Sequence, residues 1–111
     1  MTTLLAQMAR QRIENREKSR HEARRLLREV LRETIPNQRV FVFGSLLRPG
    51  KFTGESDIDL ALESEPPHMS IYQLISLLSE QMGRRVDVLV LDECRFKDKI
   101  LREGELWTLQ G

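Results

Sequence analysis

Apolar residues at helical spacing open the chain and predict a long helix over residues 3–34, as one helix or two in line. Its apolar positions form two groups: Leu4, Leu5, Met8 and Ile13, then Ala23, Leu26, Leu27, Val30 and Leu31. Residues 14–22 between the groups are nearly all polar, with interleaved opposite charges. This pattern is typical of a solvated face, so we expect this part of the helix to project from the body. Pro36 and Asn37 are expected to end the helix.

Three short apolar runs beyond the helix are typical of buried strands. They cover residues 39–43, 56–62 and 85–91 and are rich in Val, Ile, Leu and Phe. Residues 46–48 are compatible with one helical turn after the first run, and residues 106–109 with a short extended tail.

Two further helices are predicted around the last strand. The first begins near His68 or Ser70 and ends at Gly83, a plausible C-cap, and the second runs from an Asp92 cap to about Glu103. The order α-β-β-α-β-α predicts an α/β fold, in which flanking helices pack on a small mixed β-sheet.

The length and the charge of the chain limit its organisation and its partners. With 111 residues we expect one domain, made of an N-terminal helix over 1–35 and a core over 36–111. Lys and Arg number 18 against 17 Asp and Glu, so no net charge draws the whole chain to nucleic acid or to an anionic membrane. The helical part is more basic, but no aromatic residue lies among its charges to stack on bases. Helix packing or contact with a partner is therefore favoured over nucleic acid binding.

A single cysteine, Cys94, excludes an internal disulfide and a cysteine-only metal cluster, and is expected to be a small packed residue. A reducing, cytoplasmic setting is the expectation. No run approaches the roughly 18 apolar residues of a membrane span, and the first residues lack a signal-peptide pattern. His21 and His68 lack ligand spacing and are expected at the surface, whereas Trp107 is expected in the core or at an interface.

The most informative feature is the acidic pair in Ser56-Asp57-Ile58-Asp59-Leu60. Residues i and i+2 of a strand project from the same face, so the two carboxylates would lie side by side with Cα atoms about 6.6 Å apart. Like charges that close repel unless a positive charge lies between them. An exposed strand with two solvated acids is the simple alternative, whereas divalent cations with substrate phosphates would make the pair functional.

Residues on either side of the pair favour the functional interpretation. Gly44-Ser45 ends the first strand, where a glycine allows close approach of a ligand and free N–H groups favour phosphate. Asp87 lies within an otherwise apolar strand, where a carboxylate is costly without a partner. A metal ion shared with the acidic pair would be such a partner, and a salt bridge to Arg84 or Arg85 is the alternative.

The combined spacing carries a resemblance to a known family. Gly44-Ser45 is followed after ten residues by Ser56-Asp57-Ile58-Asp59, and later by a hydrophobic-Asp-hydrophobic strand at Asp87. This pattern resembles the DNA polymerase β-like nucleotidyltransferases, over about residues 25–106. The short chain looks like the minimal nucleotidyltransferase branch of that superfamily. The resemblance implies the polymerase β-like core fold, with the long N-terminal helix as the part least explained.

The resemblance also implies roles for individual residues. Three carboxylates would carry catalysis and ligate two Mg²⁺ ions: Asp57, Asp59 and Asp87. ATP, as the nucleoside triphosphate substrate, would be bound at the strand end and at the motif's second serine: Gly44, Ser45 and Ser56. Arg48 and Lys51 lie on the loop between the motif halves and would either stabilise the triphosphate or remain solvated.

A chain of this size leaves no room for a second lobe that selects the acceptor, so the acceptor surface must come from a partner, a second copy or the substrate. Minimal nucleotidyltransferases resemble antitoxins paired with helical HEPN toxins, and the family implies transfer of AMP to a toxin hydroxyl, in a homo- or hetero-oligomer. One alternative is a non-catalytic antitoxin that neutralises its partner by docking through the N-terminal helix. Transfer to a small molecule or an RNA end is the other alternative.

Overall fold

The computed structural model describes residues 3–110. Its helices and strands follow in the order α1 Leu4–Thr34, β1 Arg39–Phe43, β2 Ile58–Leu62, α2 Ile71–Met82, β3 Val86–Val90, α3 Lys97–Glu103 and β4 Glu105–Thr108. Short 3₁₀ turns at Gly44–Leu47 and Leu91–Glu93 follow β1 and β3. Among the residues described, no helix is both long and apolar enough to cross a bilayer.

The four strands form one sheet in the order β3-β2-β1-β4. Strand β1 pairs antiparallel with both β2 and β4, and β2 pairs in parallel with β3. The predicted mixed α/β fold is therefore confirmed, and the extended tail predicted near the C-terminus is the edge strand β4. Because β1 is antiparallel to β2 and β3, one edge of the sheet, here called the active edge, collects the end of β1 and the starts of β2 and β3.

One face of the sheet, here called the closed face, is covered by α1 and α2. Alternate positions of the strands point into a single apolar core, as strand geometry requires. The core residues on the strands are Val40, Val42, Ile58, Leu60, Leu62, Val86 and Val88, and the helices add Leu27, Val30, Leu31, Leu74 and Leu78. Trp107 of β4 is 2% exposed and completes this core, so its predicted core position is confirmed.

The other face, here called the open face, receives the intervening positions of the same strands. It carries Phe41 and Phe43 of β1, Asp59 and Ala61 of β2, and Asp87 and Leu89 of β3. Only a small cluster forms there, around Ala61, Leu91 and Ile100. Leu89 remains 38% exposed. Helix α3 therefore covers only part of this face.

Helix α1 is one continuous helix that runs past the sheet. At its C-terminal end the Asn37 N–H donates to the Leu109 carbonyl, whereas Arg20 and Glu17 contact the segment beyond the end of β1. Helix α1 therefore runs antiparallel to β1, and residues 4–16 extend beyond the active edge by about 20 Å. The elongated dimensions, 57 × 28 × 22 Å, reflect this projection.

The expectation that residues 14–22 form a solvated face does not hold for Arg20, and Glu17 is only partly exposed. Arg20 is only 8% exposed, since its guanidinium donates to the Leu46 carbonyl and to Glu17. The apolar group before this stretch is the exposed one, with Leu4, Leu5 and Met8 between 51% and 76% exposed.

Two predicted element starts also differ from the structure. Strand β2 begins at Ile58 rather than at residue 56, so Asp57 immediately precedes the strand. The last helix begins at Lys97, and Asp92 lies in a 3₁₀ turn where its carboxylate accepts a hydrogen bond from Lys97 Nζ at 2.8 Å. Helix α2 follows the prediction, with a capping box at Ser70 and a left-handed C-cap at Gly83.

Candidate active site

Two of the three predicted carboxylates lie next to each other on neighbouring strands. Asp59 and Asp87 are register partners in the parallel β2–β3 pair, one residue in from the active edge. Both belong to the open face, and both are partly exposed. Asp57 precedes β2. Strand alternation, which led us to expect its carboxylate beside that of Asp59, therefore does not set the direction of the Asp57 side chain. The structure thus brings Asp59 and Asp87 together, with Asp57 one step outside the sheet.

Among the three carboxylates, Asp59 is the one whose negative charge the fold disfavours. Burial raises the pKa of the Asp59 carboxyl above its ordinary value, and the nearby carboxylates of Asp87 and Asp57 raise it further, while Arg85 opposes them. A raised pKa means that the folded protein disfavours the negative charge at this position. The site therefore has an excess of negative charge that a cation would relieve.

Arg85 partly neutralises that excess in the structure. Its Nε donates to Asp87 Oδ1 at 3.1 Å, which is the salt bridge weighed against a shared metal ion from the sequence. The Asp87 side chain is 38% exposed, so it does not carry the full cost of a buried charge. Arg84, the other candidate partner, points elsewhere.

The donor set fits a hard divalent cation in its chemistry, because carboxylate oxygens are the ligands that Mg²⁺ prefers and the like charges repel without one. In the present side-chain arrangement of residues 3–110, no three His, Cys, Asp or Glu side chains are placed to hold a metal ion together. Residues Asp57, Asp59 and Asp87 remain the predicted ligands.

Gly44 makes the close approach between β1 and the carboxylates sterically feasible. It opens the 3₁₀ turn with a φ of +81°, a conformation that L side chains rarely adopt. A Cβ at this position would lie 2.6 Å from Asp59 Oδ2. Ser45 follows in the same turn, and its Oγ lies 3.5 Å from the Asp57 carbonyl. The predicted Gly44-Ser45 element therefore lies directly against the Asp59 carboxylate and the main chain of Asp57.

The other predicted nucleotide-binding residues lie on the loop between the motif halves. Ser56 closes this loop, because its Oγ accepts a hydrogen bond from the Thr53 N–H at 2.8 Å and lies 3.5 Å from the Lys51 carbonyl. Its hydroxyl thus has a structural role in the fold, and its contact with nucleotide remains a prediction. The side chains of Arg48 and Lys51 are exposed, and Arg48 lies beside Gly44 at the rim of a cavity.

Arg84 holds this loop from the side of β3, a role that sequence reasoning missed. Its Nη1 donates to the Ser56 carbonyl at 2.8 Å and to the Thr53 carbonyl at 3.0 Å, and its guanidinium stacks on the buried Phe52 ring at 4.3 Å. Burial lowers the pKa of the guanidinium, and Asp57 opposes this shift. No local pattern could reveal these partners, which are main-chain carbonyls.

Helix α1 holds the start of the same loop through two charged residues that sequence reasoning also missed. Arg20 Nη1 donates to the Leu46 carbonyl at 3.0 Å, and the Gly50 N–H donates to Glu17 Oε2 at 2.8 Å. Hydrogen bonds from Arg20 and from the Gly50 N–H lower the pKa of Glu17. The loop from Gly44 to Asp57 is therefore anchored at both ends by arginines from outside it.

The residues of this site belong to a sequence pattern found in known proteins. A protein-family model described as a nucleotidyltransferase domain matches residues 24–106, which include all the motif residues. No curated protein matches the chain. A crystal structure of a toxin-antitoxin with AMP-PNP is similar, with 25% identity, a TM-score of 0.56 and coverage of 74% of this chain and 70% of the other.

The toxin-antitoxin MntA-HepT shares the fold, with 22% identity and a TM-score of 0.50. That likeness covers 72% of this chain, which spans 65% of the matched one, just under two thirds. The family match extends over most of the sequence, and it contains the Gly44 turn and the three aspartates in the expected order. The chain therefore belongs to the nucleotidyltransferase domain family.

Proposed function

We propose that this chain is a magnesium-dependent nucleotidyltransferase that moves a nucleoside monophosphate, AMP from ATP, to a hydroxyl of a protein partner. We propose that this partner is a helical HEPN-type toxin and that the chain is its antitoxin. The observation that carries the proposal is the contact of the Gly44 turn with Asp59, beside Asp87, in a chain of this family. The similarity to a toxin-antitoxin crystal structure with AMP-PNP supports the nucleotide and the partner.

The three aspartates would hold the divalent cations. When bound, such ions lower the pKa of an attacking hydroxyl and neutralise the leaving pyrophosphate. The chain itself supplies the turn at Gly44 and Ser45 for the triphosphate, with Arg48 and Lys51 as further cationic contacts. Asp87 is the proposed acceptor of the hydroxyl proton, and Arg85, bonded to Asp87 Oδ1, positions that carboxylate.

The acceptor is proposed to be a protein because of what lies beside the active edge. Residues 4–16 of α1 extend past that edge, and they present Leu5, Met8 and Ile13 at exposures of 76%, 51% and 54%. Exposed apolar side chains in a row are typical of a surface that contacts another protein. A partner docked there would lie at the same end of the sheet as the carboxylates and could present a hydroxyl to them.

The direct test incubates the full chain with α-labelled ATP, Mg²⁺ and the candidate toxin, and follows the label into protein. The expected result is labelled toxin with wild type and none with Asp57→Ala. Asp98→Asn, which changes an exposed carboxylate on α3, is the matched control and should label normally. Absence of label with wild type would contradict the catalytic proposal.

The exposed stripe on α1 also favours the second candidate function, neutralisation by docking alone. Under that alternative, Asp57→Ala would still neutralise the toxin, whereas a double variant with Leu5→Glu and Met8→Glu would not. Under the enzymatic proposal Asp57→Ala fails to neutralise, and the double variant loses activity mainly at low toxin concentration. Measuring toxin activity with both variants therefore separates the two functions.

A further inference from the structure

We infer that the cavity between the open face of the sheet and α3 binds the nucleobase of the triphosphate. This inference rests on the proposed function, since it assumes a nucleotide substrate at the Gly44 turn. The cavity measures about 410 Å³ and is lined by residues of the turn, of strands β1 and β3, and of helix α3. That volume lies in the lower part of the range for small-ligand sites, roughly 300–1,000 Å³.

The position of the cavity connects it to the carboxylates. Phe43 in its wall is the register partner of Asp59, and Leu89 lies two residues after Asp87 on the same face of β3. Gly44 belongs to both places, since it lines the cavity and also approaches Asp59. A ligand with phosphates at the Gly44 turn would therefore have its remaining part within reach of this cavity.

The lining suits a planar aromatic ring. Phe96 is 62% exposed at the cavity, although a large aromatic side chain is costly to leave in water. Leu89, also partly exposed, lies in the same lining. Bases stack on such side chains whatever their identity, because each base has a π-face. The exposed apolar surface is thus explained by a ring that covers it when nucleotide binds.

Two polar residues of α3 would read the edge of the base. Lys99 and Glu103 both line the cavity, and residues four apart lie on the same side of a helix. The ammonium group offers donors and the carboxylate offers acceptors, which together match the ring nitrogen and the exocyclic amine of adenine. This pairing agrees with ATP as the proposed substrate.

The test compares two ligands that share the phosphates and differ in the base. Binding of AMP-PNP and of inorganic tripolyphosphate, each with Mg²⁺, is measured by calorimetry on the full chain and on Phe96→Ala. Loss of a stacked base costs about 1–3 kcal/mol, so the Kd for AMP-PNP should rise about fivefold or more. The Kd for tripolyphosphate should not change. Leu101→Ala is the control, because Leu101 is on the same helix, is 46% exposed and is not among the cavity residues.

Each other outcome has a distinct meaning. An equal Kd for AMP-PNP in wild type and in Phe96→Ala overturns the inference and leaves the proposed function intact. The inference is also overturned if Phe96→Ala raises only the KM for the protein acceptor, which would assign the cavity to the acceptor. If wild type binds neither ligand, the proposed function fails and the inference fails with it.

Discussion

The two faces of the sheet are built from the same strands but carry opposite properties. On the closed face, Val42, Leu60 and Val88 are at most 5% exposed in one continuous core. On the open face, the neighbouring positions hold two carboxylates and apolar side chains that helix α3 covers only in part. The period of two along each strand makes this division possible, since every second residue points away from the main core.

Stability and chemistry are assigned to different faces of this sheet. Burial and the nearby carboxylates of Asp87 and Asp57 raise the pKa of Asp59, so the folded chain disfavours the charge at this position. The closed face must offset that cost, because α1 and α2 pack almost all the large buried side chains against it. Substitutions on the two faces should therefore affect different measurements.

The largest expected effect is on stability and tests the closed face. Leu60→Ala removes a fully buried side chain from the core and should lower the free energy of unfolding by about 2–5 kcal/mol. Leu89→Ala, at a 38% exposed position of the open face, should cost under about 1 kcal/mol. Urea unfolding of both variants measures the difference. Equal losses would mean that the open face is as well packed as the closed one.

The next effect is on catalysis and tests the open face. Asp59→Asn keeps the shape of the side chain but removes a carboxylate, and should reduce nucleotidyl transfer by about a hundredfold, at the upper end of the losses seen for groups around a metal site. The melting temperature should stay the same or rise, because the charge it removes is one that the fold disfavours. If the variant lost stability together with activity, Asp59 would be a residue that stabilises the fold, like those of the closed face.

The carboxylates of the open face can be predicted from the sequence, whereas the contacts that hold the neighbouring loop cannot. Asp59 and Asp87 can be located because alternation along strands is a local property, and their family spacing adds the Gly44 turn. The contacts of Glu17 and Arg20 join residues 33 and 26 positions apart through main-chain atoms, which no side-chain pattern encodes. Polar residues on a helix favour solvent, so the burial of Arg20 contradicts the local signal for a reason outside the helix.

Gly44 offers a smaller effect, with a matched control in the same loop. Gly44 and Gly50 both have positive φ, at +81° and +78°, so an alanine at either position should cost about 1–2 kcal/mol of backbone strain. Only at Gly44 does the new Cβ meet Asp59 Oδ2, at 2.6 Å, since nothing lies within 4 Å at Gly50. The two variants should lose similar stability, but Gly44→Ala alone should lose transfer activity, because the Asp59 carboxylate must move. Similar activity in both variants would contradict the contact.

The smallest effect concerns the anchoring of the loop by α1. Glu17→Gln removes the charge that pairs with Arg20 and weakens the acceptor of the Gly50 N–H, so the loop should open more often. We expect faster hydrogen exchange at the Gly50 amide and a raised KM for ATP, with kcat little changed. Glu29→Gln is the control, since Glu29 pairs with Arg25 on the same helix in an exposed i,i+4 salt bridge.

The pH dependence of hydrogen exchange at the Gly50 amide tests whether the charge of Glu17, rather than helix α1 as a whole, holds the loop. The Arg20 and Gly50 hydrogen bonds lower the pKa of Glu17, so the folded state favours the carboxylate more than the unfolded state does. Its contribution is therefore complete above the unfolded pKa and is lost as the pH falls through the lower, folded pKa. The difference between wild type and Glu17→Gln should be full at neutral pH and disappear in acid. A difference that persists after Glu17 is protonated would mean that the helix, and not this carboxylate, holds the loop beside the active edge.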